Sequence, residues 1–172
     1  MLFREPSVES ALRTPTPRIR VSSEPMTAFR TTVLHVEDDP NDALLFQHAC
    51  RKAGVAFELK AVTDGDEAIA YLRGLDAFSD RTTHPMPRLI LLDLKMPRVS
   101  GFDVLTWIRH EQIFTRLPVV ILTSSNHDTD IKRAYDLGAN SYLVKPVGFD
   151  ALVEMARNLH QYWLSLDQAS QP

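Results

Sequence analysis

The sequence contains one cysteine, Cys50, so neither an intramolecular disulfide nor an all-cysteine metal site is available to it. That usage fits a reducing compartment, and a cytoplasmic location is expected. No apolar run approaches the ~20 residues that span a bilayer, so no membrane partner is expected. Neither sign of charge dominates. The 19 Lys+Arg stand against 22 Asp+Glu, a formal net charge of -3, which argues against nucleic acid as a partner, because binding it generally takes a basic excess. The six histidines are scattered without metal-ligand spacing. What remains is an ordinary globular composition and, with 172 residues, material for about one domain.

The residues are not spread evenly. Four of the 11 prolines (Pro6, Pro15, Pro17 and Pro25) fall in the first thirty positions, among Ser, Thr and Arg. The apolar residues there follow neither a helical nor a strand period, and such a stretch buries too little to offset its ordering entropy. Residues 1–29 are therefore expected to be a disordered tail, or a product of a start site that truly lies at Met26. Residues 30–167 are expected to fold, and residues 168–172 to fray.

Strands and helices alternate through the folded part. Thr32–Val36, Phe57–Val62, Arg88–Leu92, Pro118–Thr123 and Ser141–Val144 read as strands. Helices are expected over Asn41–Ala53, from an Asp64 cap to Tyr71 with Glu67 completing a capping box, over Gly101–His110, from an Asp128 cap to Leu137, and from Phe149 to about Leu164. Five βα units, with central strands apolar throughout, predict a doubly wound three-layer α/β fold. Its five-stranded parallel sheet has the order 2-1-3-4-5. Ligands of such sheets bind at the carboxyl ends of the strands.

Those ends carry complementary chemistry. Strand one ends in Glu37, Asp38 and Asp39, strand three in Asp93, strand four in Thr123 and strand five in Lys145. Converging carboxylates repel one another, and a divalent cation relieves the repulsion. Mg²⁺ favours an all-oxygen shell that a phosphate completes. Asp93 is then a candidate nucleophile that accepts a phosphoryl group as an aspartyl phosphate. Lys145 and Thr123 are placed to neutralise and hydrogen-bond its oxygens. Asp39 reads as a helix cap and Cys50 as a small apolar packing residue.

Four segments, VLHVEDDP (33–40), LILLDLKMPRVSGFDVL (89–105), VVILTSS (119–125) and GANSYLVKP (138–146), resemble the receiver domain of two-component response regulators. The resemblance covers nearly all of residues 31–165. It implies a phosphorylation-dependent signalling switch that accepts a phosphoryl group on Asp93 from a sensor histidine kinase. It implies Mg²⁺ held by Glu37, Asp38, Asp93 and the backbone carbonyl of Lys95. Thr123 is implied as switch hydroxyl, Tyr142 as switch aromatic, Lys145 as phosphate-binding cation, and the Lys145–Pro146 bond as cis. The loop GLDAFSDRTTHPMPR, the VEDDPND segment and the ending YWLSL resemble single-domain regulators serving bacterial and cyanobacterial phytochromes. Glu37 departs from the family's commoner Asp, and Lys95 is expected to lie near the phosphoryl site.

Two other readings compete. Haloacid-dehalogenase-like phosphatases also use an aspartyl intermediate, but they carry a second Asp two residues after the nucleophile, where this chain has Lys95. A phosphorylation-independent scaffold of the same fold leaves the strand-end residues without a purpose. In the last helix Leu152, Ala156, Leu159 and Trp163 should face the sheet. Val153, Tyr162, Leu164 and Leu166 are then left over, a remainder that suggests a homodimer through helix four, strand five and helix five. Too few residues follow position 168 for an output domain, so output is expected through protein–protein binding, feedback on the kinase or phosphate passing to another protein.

Overall fold

A computed structural model describes residues 31–165. The expected tails, residues 1–29 and 168–172, and the boundaries expected for them lie outside the described residues. Five parallel strands, β1 (Thr31–Val36), β2 (Phe57–Val62), β3 (Leu89–Leu92), β4 (Val119–Thr123) and β5 (Ser141–Val144), form one sheet in the order β2-β1-β3-β4-β5. The helices are α1 (Pro40–Ala53), α2 (Gly65–Arg73), α3 (Gly101–His110), α4 (Asp128–Asp136) and α5 (Phe149–Leu159). The doubly wound fold expected from the sequence is the one observed.

Strand alternation divides the interior in two. Leu34, Val36, Ile90, Leu92, Val119 and Ile121 face a core shared with α2, α3 and α4. Val33, Leu89, Leu91, Val120 and Leu122 face the other, built with Phe46, Ala49 and Cys50 of α1 and Leu152, Ala156 and Leu159 of α5. Successive side chains point to opposite faces of a strand, so a sheet covered on both sides needs the near-continuous apolar runs that β3 and β4 supply. Burial raises the Cys50 thiol to about 12, in keeping with its role as a packing group.

Local chemistry sets the helix ends. Asp39 caps α1 by accepting from the amides of Asn41 (2.8 Å) and Asp42 (3.4 Å), and Pro40 begins the helix. Asp64 caps α2, but Glu67 does not close a box with it. Its carboxylate reaches one residue further back, to the amide and hydroxyl of Thr63. The reciprocal box instead opens α3, between Ser100 and Asp103, and it holds the Asp103 carboxyl below the usual range. At α4 the capping position is His127 rather than Asp128, which already lies inside the helix.

The end of α5 also differs from expectation. The regular helix stops at Leu159 and widens into a π-helical turn over His160–Ser165. Val153, expected to be left over, is buried against α1 and the sheet, while Tyr162 is exposed and Trp163 packs half-buried on the same core. The amphipathic face of α5 is thus one residue wider than a minimal stripe. The Lys145–Pro146 bond is trans, since there is no cis peptide among the described residues. Trans is the intrinsically preferred X–Pro isomer, and the Lys145 amide still bonds to the Thr123 carbonyl at 2.8 Å, extending the sheet pairing past Val144.

Gly101 lets α3 start against the end of β3. A Cβ there would stand 2.0 Å from the Asp93 carbonyl oxygen and 2.8 Å from the Leu94 Cα, both backbone atoms that cannot swing aside. Gly101→Ala is expected to cost at least about 3 kcal/mol, the upper range for overpacking. Gly54→Ala, with φ +68° and open space around it, should cost only about 1 kcal/mol of left-handed strain. Urea denaturation of the two variants measures the difference.

Candidate functional site

At the carboxyl edge of the sheet the ends of β1 and β3 meet. The Asp93 amide donates to the Val36 carbonyl at 3.0 Å, which places the Asp93 side chain beside the residues that follow β1. Glu37, Asp38 and Asp93 each offer a carboxylate oxygen, and these oxygens lie within 4.8 Å of one another. Glu37 and Asp93 are buried and Asp38 is partly so. Asp93 also accepts from the Leu94 amide at 2.7 Å, which orients its carboxylate. Three clustered oxygen donors suit a hard divalent cation.

One ammonium answers this charge. Lys145, projecting from the end of β5, places Nζ 2.5 Å from Glu37 Oε2, 2.8 Å from Asp42 Oδ2 and 3.8 Å from Asp93 Oδ2. Burial alone would push the lysine down. The hydrogen bonds to Asp42 and Glu37 outweigh it and hold the group above the ordinary lysine range. For Glu37 burial prevails, and its carboxyl rises to about 7 even against the pull of Lys145. A buried acid beside another acid is thus held by a single cation. Behind it His35 lies buried on β1, its Nε2 3.8 Å from Glu37 Oε2.

The other flank of the site is lined with hydroxyls. Thr123 at the end of β4 is fully buried, and its Oγ1 accepts from the Ser125 amide at 3.4 Å. The Ser125 hydroxyl donates to Asp130 of α4 at 2.6 Å. Its carbonyl accepts from the Tyr142 hydroxyl at 3.0 Å. Tyr142 is half-buried with its ring against the core beneath α4, and burial raises its phenol above the ordinary range. The chain Thr123–Ser125–Tyr142 joins the ends of β4 and β5 to α4 through polar contacts.

The loop after β3 is fixed differently. Arg98, at φ +64°, pairs with Asp64 and lies 3.8 Å from Asp66. Val99 sits so close to Gly65 that a Cβ there would fall 2.6 Å from a Val99 methyl. The Lys95 side chain is exposed on this loop.

The expected residues Glu37, Asp38, Asp93, Thr123 and Lys145 therefore come to one edge, with Tyr142 linked through Ser125. Sequence reasoning passed over Asp42, Ser125, Arg98 and His35. Asp42 and Ser125 carry no motif of their own. Arg98 announces itself only through its backbone conformation. His35 did leave a signal, being the one imidazole inside an otherwise apolar strand.

Comparison with known proteins agrees with this geometry. The family model described as response regulator receiver domain matches residues 33–157. The probable methanogenesis regulatory protein FilR2 of Methanothrix harundinacea is 35% identical over 140 residues, covering 81% of this chain and 88% of its own. Response regulator Rcp1 of Synechocystis sp. is 34% identical over 132 residues, covering 77% and 88%. A crystal structure of the Mn²⁺-bound form of Rcp1 superposes with a TM-score of 0.70 at 32% identity, covering 83% of this chain and 99% of that one. Response regulator RPA3017, crystallised for its part in red light signaling of R. palustris, gives a TM-score of 0.76 at 36% identity, covering 83% and 98%. The chain belongs to the response regulator receiver family. It is a phosphorylation-dependent signalling switch of the two-component type, similar to single-domain phytochrome response regulators, and the family pairs such domains with histidine kinases. No helix among the described residues is long and apolar enough to cross a membrane.

Lys145 competes with any cation for Glu37, which makes its removal informative. In the presence of a chelator, Lys145→Gln should lose roughly 3 kcal/mol of stability, the cost of breaking a largely buried ion pair. Mg²⁺ should then raise the thermal midpoint of the variant more than that of the wild type, as scanning calorimetry with and without the ion will show.

Proposed function

We propose that Asp93 is the phosphoacceptor of this switch and that Mg²⁺ is its cofactor, held by Glu37, Asp38, Asp93 and the Lys95 backbone carbonyl. The observation that carries the reading is the placement of Asp93 between two clustered carboxylates on one side and the Lys145 ammonium at 3.8 Å on the other. The fit of the cation rests on the donor set, three carboxylates around one point with two of them buried, and the Mn²⁺ in Rcp1 supports it. Bound there, the ion supplies charge neutralisation for the transferring phosphoryl oxygens.

The chain's own residues do the rest. An Asp93 oxygen forms a bond to phosphorus as the bond from phosphorus to a nitrogen of the histidine kinase breaks, and the electron pair leaves with the imidazole. Lys145, 3.8 Å from Asp93 Oδ2, turns from Glu37 to hydrogen-bond an equatorial oxygen. The Thr123 hydroxyl donates its proton to another oxygen and draws on the Ser125 amide that it now accepts from. Ser125 passes the displacement to Tyr142 and, through Asp130, to α4. A local charge change thus biases the surface of α4, β5 and α5.

That surface is the proposed output face, and a homodimer is its proposed reader. β5 has an open edge, and beside it runs a groove of about 650 Å³ lined by Leu143, Pro146, Met155, Leu159, Tyr162 and Trp163. The similarity to phytochrome regulators supports a phytochrome kinase as donor and a cytoplasmic setting, with residues 30–167 as the receiver. Incubation with acetyl phosphate and Mg²⁺ should give a phosphoryl adduct by intact mass. Asp93→Asn or a chelator should abolish it, and size exclusion should show a larger species for the phosphorylated wild type alone. An adduct that persists in Asp93→Asn would overturn the assignment.

A further inference from the structure

His35 lies directly behind the acidic cluster on the α1–α5 side of the sheet. It is 1% exposed and packs its ring against Phe46 at 5.0 Å between centroids. Neither ring nitrogen has a hydrogen-bond partner. The ring offers an N–H donor that no neighbour takes up. An unsatisfied buried polar group is destabilising, a cost that an apolar residue at this strand position would not incur.

Two further observations point to a use. The first is room. A cavity of about 140 Å³ lies between His35, Glu37, Asp42, Phe46, Ser124 and Lys145, so this ring has space to shift. The second is the surroundings of one oxygen. Glu37 Oε2 has Lys145 Nζ at 2.5 Å and His35 Nε2 at 3.8 Å, and no nitrogen of another basic side chain within 4 Å among the described residues. Lys145 is still 3.8 Å from Asp93 Oδ2, too far for a hydrogen bond. A phosphoryl group on Asp93 carries close to two negative charges and draws the ammonium toward it. Each step in that direction lengthens the Glu37 contact.

Building on Asp93 as phosphoacceptor, we propose that His35 is a positioning residue for phosphorylation, donating Nε2–H to Glu37 Oε2 as Lys145 turns to the phosphoryl group. That N–H keeps the buried Glu37 carboxylate satisfied and in place. Without it Glu37 retains Lys145, and the phosphoryl group loses part of its ammonium contact.

The test compares wild type, His35→Leu and His35→Gln, each phosphorylated with acetyl phosphate and Mg²⁺. Leucine fills the site without a donor, and glutamine restores an N–H. His35→Leu should fold with a thermal midpoint at or above that of the wild type, yet its phosphoryl lifetime should fall at least threefold, and His35→Gln should recover most of the loss. Imidazole ¹⁵N spectra of the wild type, with His35 identified by its absence in the leucine variant, should show the Nε2–H tautomer and a downfield proton shift on phosphorylation. An unchanged lifetime in His35→Leu, an equal loss in both variants, or a His35 signal unmoved by phosphorylation would overturn the proposal while leaving Asp93 in its role. Absence of an adduct in the wild type would instead overturn the phosphoacceptor reading beneath it, and this proposal with it. If His35→Leu proves unstable, His35→Gln identifies the His35 signal instead, and the wild-type spectra decide the matter.

Discussion

Three carboxylates within 4.8 Å of one another would force the strand ends apart if nothing opposed them. The ammonium of Lys145 opposes them in this structure, and much of the architecture serves to deliver it. Lys145 stands at the end of the edge strand β5, two strands away from β3 and three from β1. The parallel order β2-β1-β3-β4-β5 brings the carboxyl ends of all these strands to one edge, so residues more than a hundred positions apart become ion partners. The two apolar cores hold the strands in the register that lets one cation span Glu37, Asp42 and Asp93.

This explains why the fold and most of the site were legible in the sequence. Apolar runs at β3 and β4 mark strands covered on both faces, and polar residues just past each run mark the edge where ligands bind. The rule operates strand by strand, so it found Glu37, Asp93, Thr123 and Lys145. Residues that act from helices and loops escaped it. Asp42 meets Lys145 because the first turn of α1 leans over the strand ends, and Ser125 works through its backbone as much as through its hydroxyl.

The helix ends teach the same lesson on a smaller scale. A Ser/Asp pair three residues apart closes a capping box at α3, while the similar Asp64/Glu67 pair does not, because the longer Glu67 side chain finds Thr63 first. Spacing specifies candidates, and side-chain length decides among them. At the end of α5, helical periodicity placed Tyr162 outward and Trp163 inward, as observed, but it left Val153 out of the core that buries it and did not show the π-helical turn that brings Leu164 onto the same core. Hydrophobic patterning assumes a fixed number of residues per turn, and it has no purchase where that number changes.

Gly101 and Gly65 together give the site a fixed side and a movable side. On one flank the loop after β3 is wedged between backbone and the start of α2, with no room for even a methyl group. On the other flank the β4–α4 connection is held by hydroxyls, whose bonds rotate and re-form at little cost. A displacement at this edge therefore meets less resistance on the β4–α4 side than on the side of the loop after β3. The molecule resembles a vice in which one jaw is bolted to the bench, and the asymmetry of its stiffness, rather than the size of any single displacement, sets where a signal emerges.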